Sequence, residues 1–411
     1  MIRRLTSIAG RADRHVPRVS VWTRIGGWGY VAALQLETDL ADGVIPMEMV
    51  SGPRIERGLT YPLGSPPAPG EAVEAAPGVL WLRLPLPMSL DHINVYALAD
   101  GDAWTIIDAG LNTKVSIAGW EVALAGPLGR KPVKRVICTH MHPDHLGLAG
   151  WLCERFSAPL LMSRLEYVTA RMLVADTGPA PHEGEVFFRA AGWNDEQVEV
   201  WRREFGRFGK GVYPMPQSYH RLSEGDEIEI GGDIWSIVVG NGHSPEHVCL
   251  WRRSDDVFLA GDQVLPRISS NVSVWPTEPM QDPLGDWLTS LEKLRALLPA
   301  ETFILPSHGE PFIGVHTRIE ALQRGHETGL RRLERTLREP RRAVDVFSSL
   351  FSRPIGPEVF GMATGESVAH LNYLERQGRA RRERDANGVD WWSATQIKDE
   401  TVDSPEEETT L

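Results

Sequence analysis

Cysteine is scarce in this 411-residue chain: Cys138, Cys153 and Cys249 stand singly, with no C-x-x-C pair. That spacing argues against a disulfide-stapled scaffold and against a thiolate zinc site. Long apolar runs are also missing. None approaches the roughly 18–20 residues that cross a bilayer, so no membrane partner is expected. Nor is there an excess of positive charge. The 43 Lys and Arg are outnumbered by 55 Asp and Glu, for a net charge of −12. A protein built to coat nucleic acid or anionic lipid would carry the opposite balance. The N-terminal "MIRRLTSIAGRADRHVPRV" is basic but lacks the apolar stretch of a secretory signal. With the scattered thiols, this points to a cytoplasmic protein.

What is present is ordinary globular composition, 42% hydrophobic and 24% charged, over a length that suits two or three domains. The first 70 residues show no clear element, which leaves two readings of them: an Arg-rich leader, or a product that begins at Met47 or Met49. Residues 60–77, "TYPLGSPPAPGEAVEAAP", read as a linker closing an N-terminal extension (1–77). Strand-like runs follow at 79–85, 93–99, 104–110 and 133–139, with a helix over 114–125. Residues 164–215 change to helical spacing and read as an insertion. Strands resume over 226–262, and an amphipathic helix capped by Asp282 covers 282–299. From 314 to 395 the pattern is three helices and a hairpin turning at Asp385–Gly388, which suggests a winged-helix-like domain. Residues 396–411 are acidic and read as a disordered tail.

The most concentrated chemistry lies in "VICTHMHPDHLGLAGW" (136–151), where His140, His142, Asp144 and His145 crowd into six positions after an apolar strand. Neutral imidazole is a good ligand for a divalent ion, at about 2.0–2.1 Å. Side chains two apart on a strand share a face, so His140 and His142 can converge on one ion. Asp144 and His145 lie one step on, where the chain turns into a helix, and suit a second ion. Further ligands must come from other strand ends. "GNGHSPEHV" offers His243, "FLAGDQV" offers Asp262 and "ILPSHGEP" offers His308, each after an apolar strand and a tight turn. "IIDAG" repeats the device with Asp108.

These motifs, in this order, resemble those of the metallo-β-lactamase fold superfamily, across about residues 78–312. The "GHSPEH" turn is similar to that of glyoxalase II enzymes, and the C-terminal pattern to the β-lactamase-like protein 2 group. The resemblance implies an α/β fold, an αββα sandwich with the metals at one edge between two sheets, spanning a catalytic domain over 78–313. It assigns His140, His142 and His243 to one metal and Asp144, His145 and His308 to the other, with Asp262 bridging. Asp108 and His247 would support the ligands from behind. Asp91 and His92 are candidates for the substrate rim. His15, His182, His220, His316, His326 and His370 fall outside the pattern and are read as surface or packing residues.

Two divalent ions, with Zn2+ the default and Fe or Mn also suited to such ligands, would lower the pKa of a bound water to make a hydroxide nucleophile. Asp144 is the candidate for proton handling. The resemblance implies that true β-lactamases lack a bridging carboxylate such as Asp262, so the expected substrate is a small (thio)ester or lactone. The alternative is an endoribonuclease that grips RNA with its C-terminal module, for which "RQGRARRER" (376–384) is the basic patch to weigh. The plainer reading of that patch is a solvated or packed surface, and nucleic acid is the less favoured partner. The long helices from 315 onward suit a homo-oligomer.

Overall fold

Strands rich in Val, Ile, Leu and Trp pair into two eight-stranded sheets that face one another. The computed structural model describes residues 53–395, together with the backbone of the strands Val21–Ile25, Trp28–Ala33 and Val44–Ile45. Sheet one runs in the order His220–Arg221, Leu160–Met162, Val133–Ile137, Ala103–Ile107, His92–Asp100, Val79–Pro85, Ala72–Ala76 and Val44–Ile45. Sheet two runs Glu227–Ile230, Asp233–Gly240, His247–Arg252, Val257–Gly261, Phe303–Pro306, Phe312–Ile313, Leu59–Tyr61 and Arg54–Glu56.

Three apolar clusters define the layers. Trp81, Leu98, Ile137, Trp235, Ile237 and Leu259 fill the space between the sheets. Trp120, Leu124, Leu152 and Met162 lie on the outer face of sheet one, under the helices Lys114–Ala125 and Ala149–Phe156. Phe258, Trp287, Leu291 and Ile319 lie on the outer face of sheet two, under Pro283–Leu297 and Val315–Thr336. The result is helix, sheet, sheet, helix: an αββα sandwich. Strands buried on both faces, such as Val257–Gly261, read as continuous apolar runs for that reason. Asp282 caps Pro283–Leu297 as expected, accepting a bond from Gly285 N at 3.0 Å, with Pro283 in the first turn.

The region read as a linker is not one. Tyr61, Ala72 and Val73 are buried, and Leu59–Tyr61 and Ala72–Ala76 are paired strands of the two sheets. Prolines between short strands mimic linker composition, while alternate apolar residues still reach the core. The first 70 residues likewise contain strands. Met47, Met49 and the acidic tail lie outside the described residues.

The insertion is helical: Arg164–Ala175, His182–Ala190 and Asp195–Glu204. Its aromatics pack among themselves and on their neighbours. Trp193 stacks on Phe188 and donates from Nε1 to Thr364 Oγ1 at 3.0 Å; Trp201 meets Phe188 and Phe205. Val315–Thr336 is followed by Phe347–Leu350, Phe360–Arg376 and the antiparallel pair Ala380–Arg384 and Asp390–Ala394. Among the described residues, no helix is long and apolar enough to cross a membrane.

Candidate metal centre

Every candidate ligand leaves a strand at the same edge of the sandwich. In sheet one, Ala103–Ile107 and Val133–Ile137 run parallel, and their exits carry Asp108 and then His140 and His142. The short helix Pro143–Leu146 adds Asp144 and His145. In sheet two, Asp233–Gly240, Val257–Gly261 and Phe303–Pro306 share one direction and lead into His243, Asp262 and His308. Two glycines make these exits. Gly242 has φ +101, and a Cβ there would lie 2.3 Å from Trp287 Cβ. Gly261 has φ +53, and a Cβ there would lie 2.3 Å from His247 Cε1.

The donors gather into three overlapping groups: His140, His142 and His243; His140, His145 and Asp262; and Asp144, His145 and His308. His140 Nε2 lies 2.8 Å from His142 Nδ1 and 3.2 Å from His243 Nε2. Asp262 Oδ2 is 3.5 Å from both His145 Nε2 and His243 Nε2, and its Oδ1 is 3.5 Å from His308 Nε2. Asp144 Oδ2 is 3.3 Å from His308 Nε2. Ligands of a tetrahedral ion sit about 3.3 Å apart when bonds are about 2.0–2.1 Å, so these separations suit ligation of a divalent ion. Asp262 stands between the ends.

The chemistry of the donors tests whether a metal fits. His243 Nδ1 donates to Asn271 O at 2.7 Å, and His308 Nδ1 to His92 O at 2.8 Å. His145 Nδ1 lies 2.8 Å from Asp108 Oδ2, and His140 Nδ1 3.0 Å from Thr139 Oγ1. With the outer nitrogen so engaged, the inner one faces the cluster, where a metal can take its lone pair in place of a proton. His145 Nε2, His308 Nε2 and Asp262 Oδ1 are buried without a hydrogen-bond partner, an arrangement that a cation satisfies. The residues fit divalent metal.

Charge follows burial and neighbours. Burial lowers the pKa of His142 to about 3, with His243 adding to the effect. His140 falls well below the ordinary range, through burial and then His145. At the other end burial opposes charge, yet the carboxylates win: Asp262 and Asp144 raise His308 to about 10. His145 and His308 hold Asp144 at about 2 against its burial. At one end His140 and His142 are therefore held neutral, while the other end is a set of charged pairs.

The supporting residues are equally specific. Asp108 sits at φ +60, accepts from Thr139 N at 2.8 Å and also faces His145. His247 Nε2 accepts from Asp262 N at 3.0 Å, and its ring stacks on His140 at 4.8 Å. His92 uses both ring nitrogens, Nδ1 toward Asp91 at 2.6 Å and Nε2 accepting from Gly309 N at 3.0 Å, so it braces the His308 loop. Asp91 is exposed. Sequence reasoning missed Arg83 and Asn94, which hold Gly309 O at 2.7 and 2.9 Å, and Tyr96, which holds Pro306 O at 2.8 Å. It also missed Asn271 and Glu166. These sit in strands, loops and helices with no local signature; only the fold brings them behind the ligands. His326 and His370 stack on one another far from the cluster in sequence, and His326 packs against Trp287, as packing residues do.

Comparison with known proteins agrees with this geometry. Residues 88–308 match the model of the metallo-beta-lactamase superfamily, and residues 330–395 match a metallo-beta-lactamase-like C-terminal domain. A beta-lactamase domain protein from Burkholderia ambifaria superposes with a TM-score of 0.76 at 38% identity, covering 82% of this chain and 98% of that one. A probable metallo-hydrolase of Bacillus subtilis, YqjP, is 27% identical over 73% of this chain and 92% of its own length. More distant relatives include the atrochrysone carboxyl ACP thioesterase of Aspergillus fumigatus, 22% identical over 67% of this chain and 70% of its own. The acyl-coenzyme A thioesterase MBLAC2 of Gallus gallus is 25% identical over 57% and 79%. The αββα sandwich, its donor-bearing edge and these matches together make the chain a member of the metallo-beta-lactamase superfamily, with the character of a metallo-hydrolase.

Proposed function

We propose that the chain is a binuclear hydrolase of small (thio)esters, with thioesters of acyl carriers ahead of lactones. The observation that carries the two-metal reading is Asp262, whose two carboxylate oxygens face His145 and His243 on one side and His308 on the other. His140, His142 and His243 would hold one ion, and Asp144, His145 and His308 the other, zinc being the default for this donor set. When bound, such a pair supplies an acidified water and a polarised carbonyl oxygen.

The chain's own residues do the rest. Asp144 is ionised across the physiological range and keeps one-fifth of its side chain exposed, so its carboxylate can accept and orient a hydrogen bond from the nucleophile at the mouth of the site. Asp108 and His247 fix the orientation of His145 and of the Asp262 backbone. Met88 and Ile268 are exposed on the loops that precede His92 and follow Asp262, and would offer apolar surface to an acyl chain. Two relatives are named for thioester hydrolysis, which supports the same class.

The ribonuclease reading has less support. The arginines of 376–384 are engaged within the protein: Arg379 with Glu334 at 2.7 Å, Arg384 with Asp390 at 2.7 Å, Arg382 with Glu375 at 3.4 Å. Metal-loaded protein should be assayed against acyl-CoA, S-lactoylglutathione, a homoserine lactone and single-stranded RNA, with His142→Ala/Asp144→Ala as control. Turnover of a thioester that the double variant lacks is the expected result. RNA cleavage without (thio)ester or lactone turnover would overturn the proposal.

A further inference from the structure

The helix Arg164–Ala175 opens with Ser163 and carries Glu166 three residues later, the spelling of a capping box. The box does not form: Ser163 makes no side-chain cap bond. Glu166 turns instead beneath the metal centre, with no exposed surface. Its Oε2 accepts from Met141 N at 2.8 Å and its Oε1 from Glu246 N at 2.9 Å. Glu246 answers by accepting from Leu165 N at 2.9 Å.

Met141 lies between His140 and His142, and Glu246 lies between His243 and His247. One buried carboxylate thus joins the loop from sheet one to the loop from sheet two that supply the three imidazoles of the first group. The opposite group rests on other supports: Asp108 behind His145, and Arg83, Asn94 and His92 around the His308 loop. A metal site binds tightly only when its donors are held at the bonding radius before the ion arrives, and outer supports typically change metal affinity by about 10–100-fold.

We propose that Glu166 is a positioning residue that sets the spacing of His140 and His142 against His243, and so governs the affinity of that metal group alone. This rests on the two-metal reading given above. Glu166→Gln keeps the shape but points an amide NH2 at one of the two backbone N–H groups, so one of the two loops is released.

The test is Co2+ titration of chelator-treated full chain, read by visible absorption and by metal content. Glu166→Gln is placed in two backgrounds: His308→Ala, which leaves the first group intact, and His243→Ala, which leaves the second. The expected result is about a tenfold or greater loss of affinity in the first background and less than about twofold in the second. Equal losses in both, or none in either, would overturn the assignment. A wild-type chain that binds fewer than two ions defeats the two-metal reading instead, whatever the variant does. Thermal melting in chelator checks that Glu166→Gln folds; should it not, Glu246→Ala loosens the same junction from its other side and is read identically.

Discussion

Glu366 offers a prediction whose size follows from the structure. It lies on Phe360–Arg376, within hydrogen-bond reach of Asn271: Asn271 Nδ2 donates to Glu366 Oε2 at 2.7 Å. Asn271 in turn receives the His243 Nδ1–H on its backbone carbonyl. Burial raises the Glu366 carboxyl from 4.5 to about 7, and the Asn271 bond only partly offsets it. In the unfolded chain the group titrates near its ordinary value. Its contribution to stability is therefore fully present below pH 4.5 and is lost as pH rises through about 7. The full difference corresponds to about 3 kcal/mol, and partial solvent contact of this helix position trims it to about 2 kcal/mol. Glu366→Gln keeps an acceptor for Asn271 and removes the titration. Wild type and variant should have nearly equal unfolding free energies at pH 4, measured by urea denaturation in chelator. At pH 8 the variant should be the more stable by about 2 kcal/mol. Other groups titrate alike in both proteins, so the difference of differences isolates Glu366. A gap that is unchanged from pH 4 to pH 8 would refute the reasoning.

Asp108→Asn keeps the left-handed backbone that asparagine tolerates but turns an NH2 toward Thr139 or His145, and should weaken metal binding by about 10–100-fold, measured with a competing chelator. Gly242→Ala forces a methyl group onto the backbone of the helix Pro283–Leu297 at a φ that disfavours it, and should destabilise the protein by about 3 kcal/mol or more in denaturant unfolding. Because His308 holds its proton up to about pH 10 in the metal-free protein, metal binding at pH 7 should release protons, and affinity for that group should rise with pH. Calorimetry in buffers of different ionisation enthalpy reads that release directly.

The strands and the donor-bearing turns at their ends were legible in the sequence because they depend on local pattern, whereas the layering came from the resemblance to the superfamily. Apolar runs such as "DVFLAGD" end in a turn and a ligand, and that device recurs at Asp108, His140, His243, Asp262 and His308. The short strands around the proline-rich stretch were not legible. Leu59–Tyr61 and Ala72–Ala76 are short and flanked by proline; the first pairs with Phe312–Ile313, far along the chain, and the second with its neighbour Val79–Pro85. The residues behind the ligands were hidden for a related reason. Glu166 reads locally as a helix cap, and Asn94 as a polar break in an apolar strand. Each takes its meaning from a loop at least 25 residues away, the separation of Glu166 from Met141.

The seam between the sheets has a consequence for how the protein loses activity. His140 and His243 are 103 positions apart and belong to different sheets, so neither sheet alone can close a coordination shell. Slight slippage of one sheet over the other would break the cluster while leaving every strand pair intact. Bound metal then acts as a gauge of docking between the two halves of the sandwich. Its release should precede loss of secondary structure on warming, and the protein should fail first as a vessel for metal and only later as a fold.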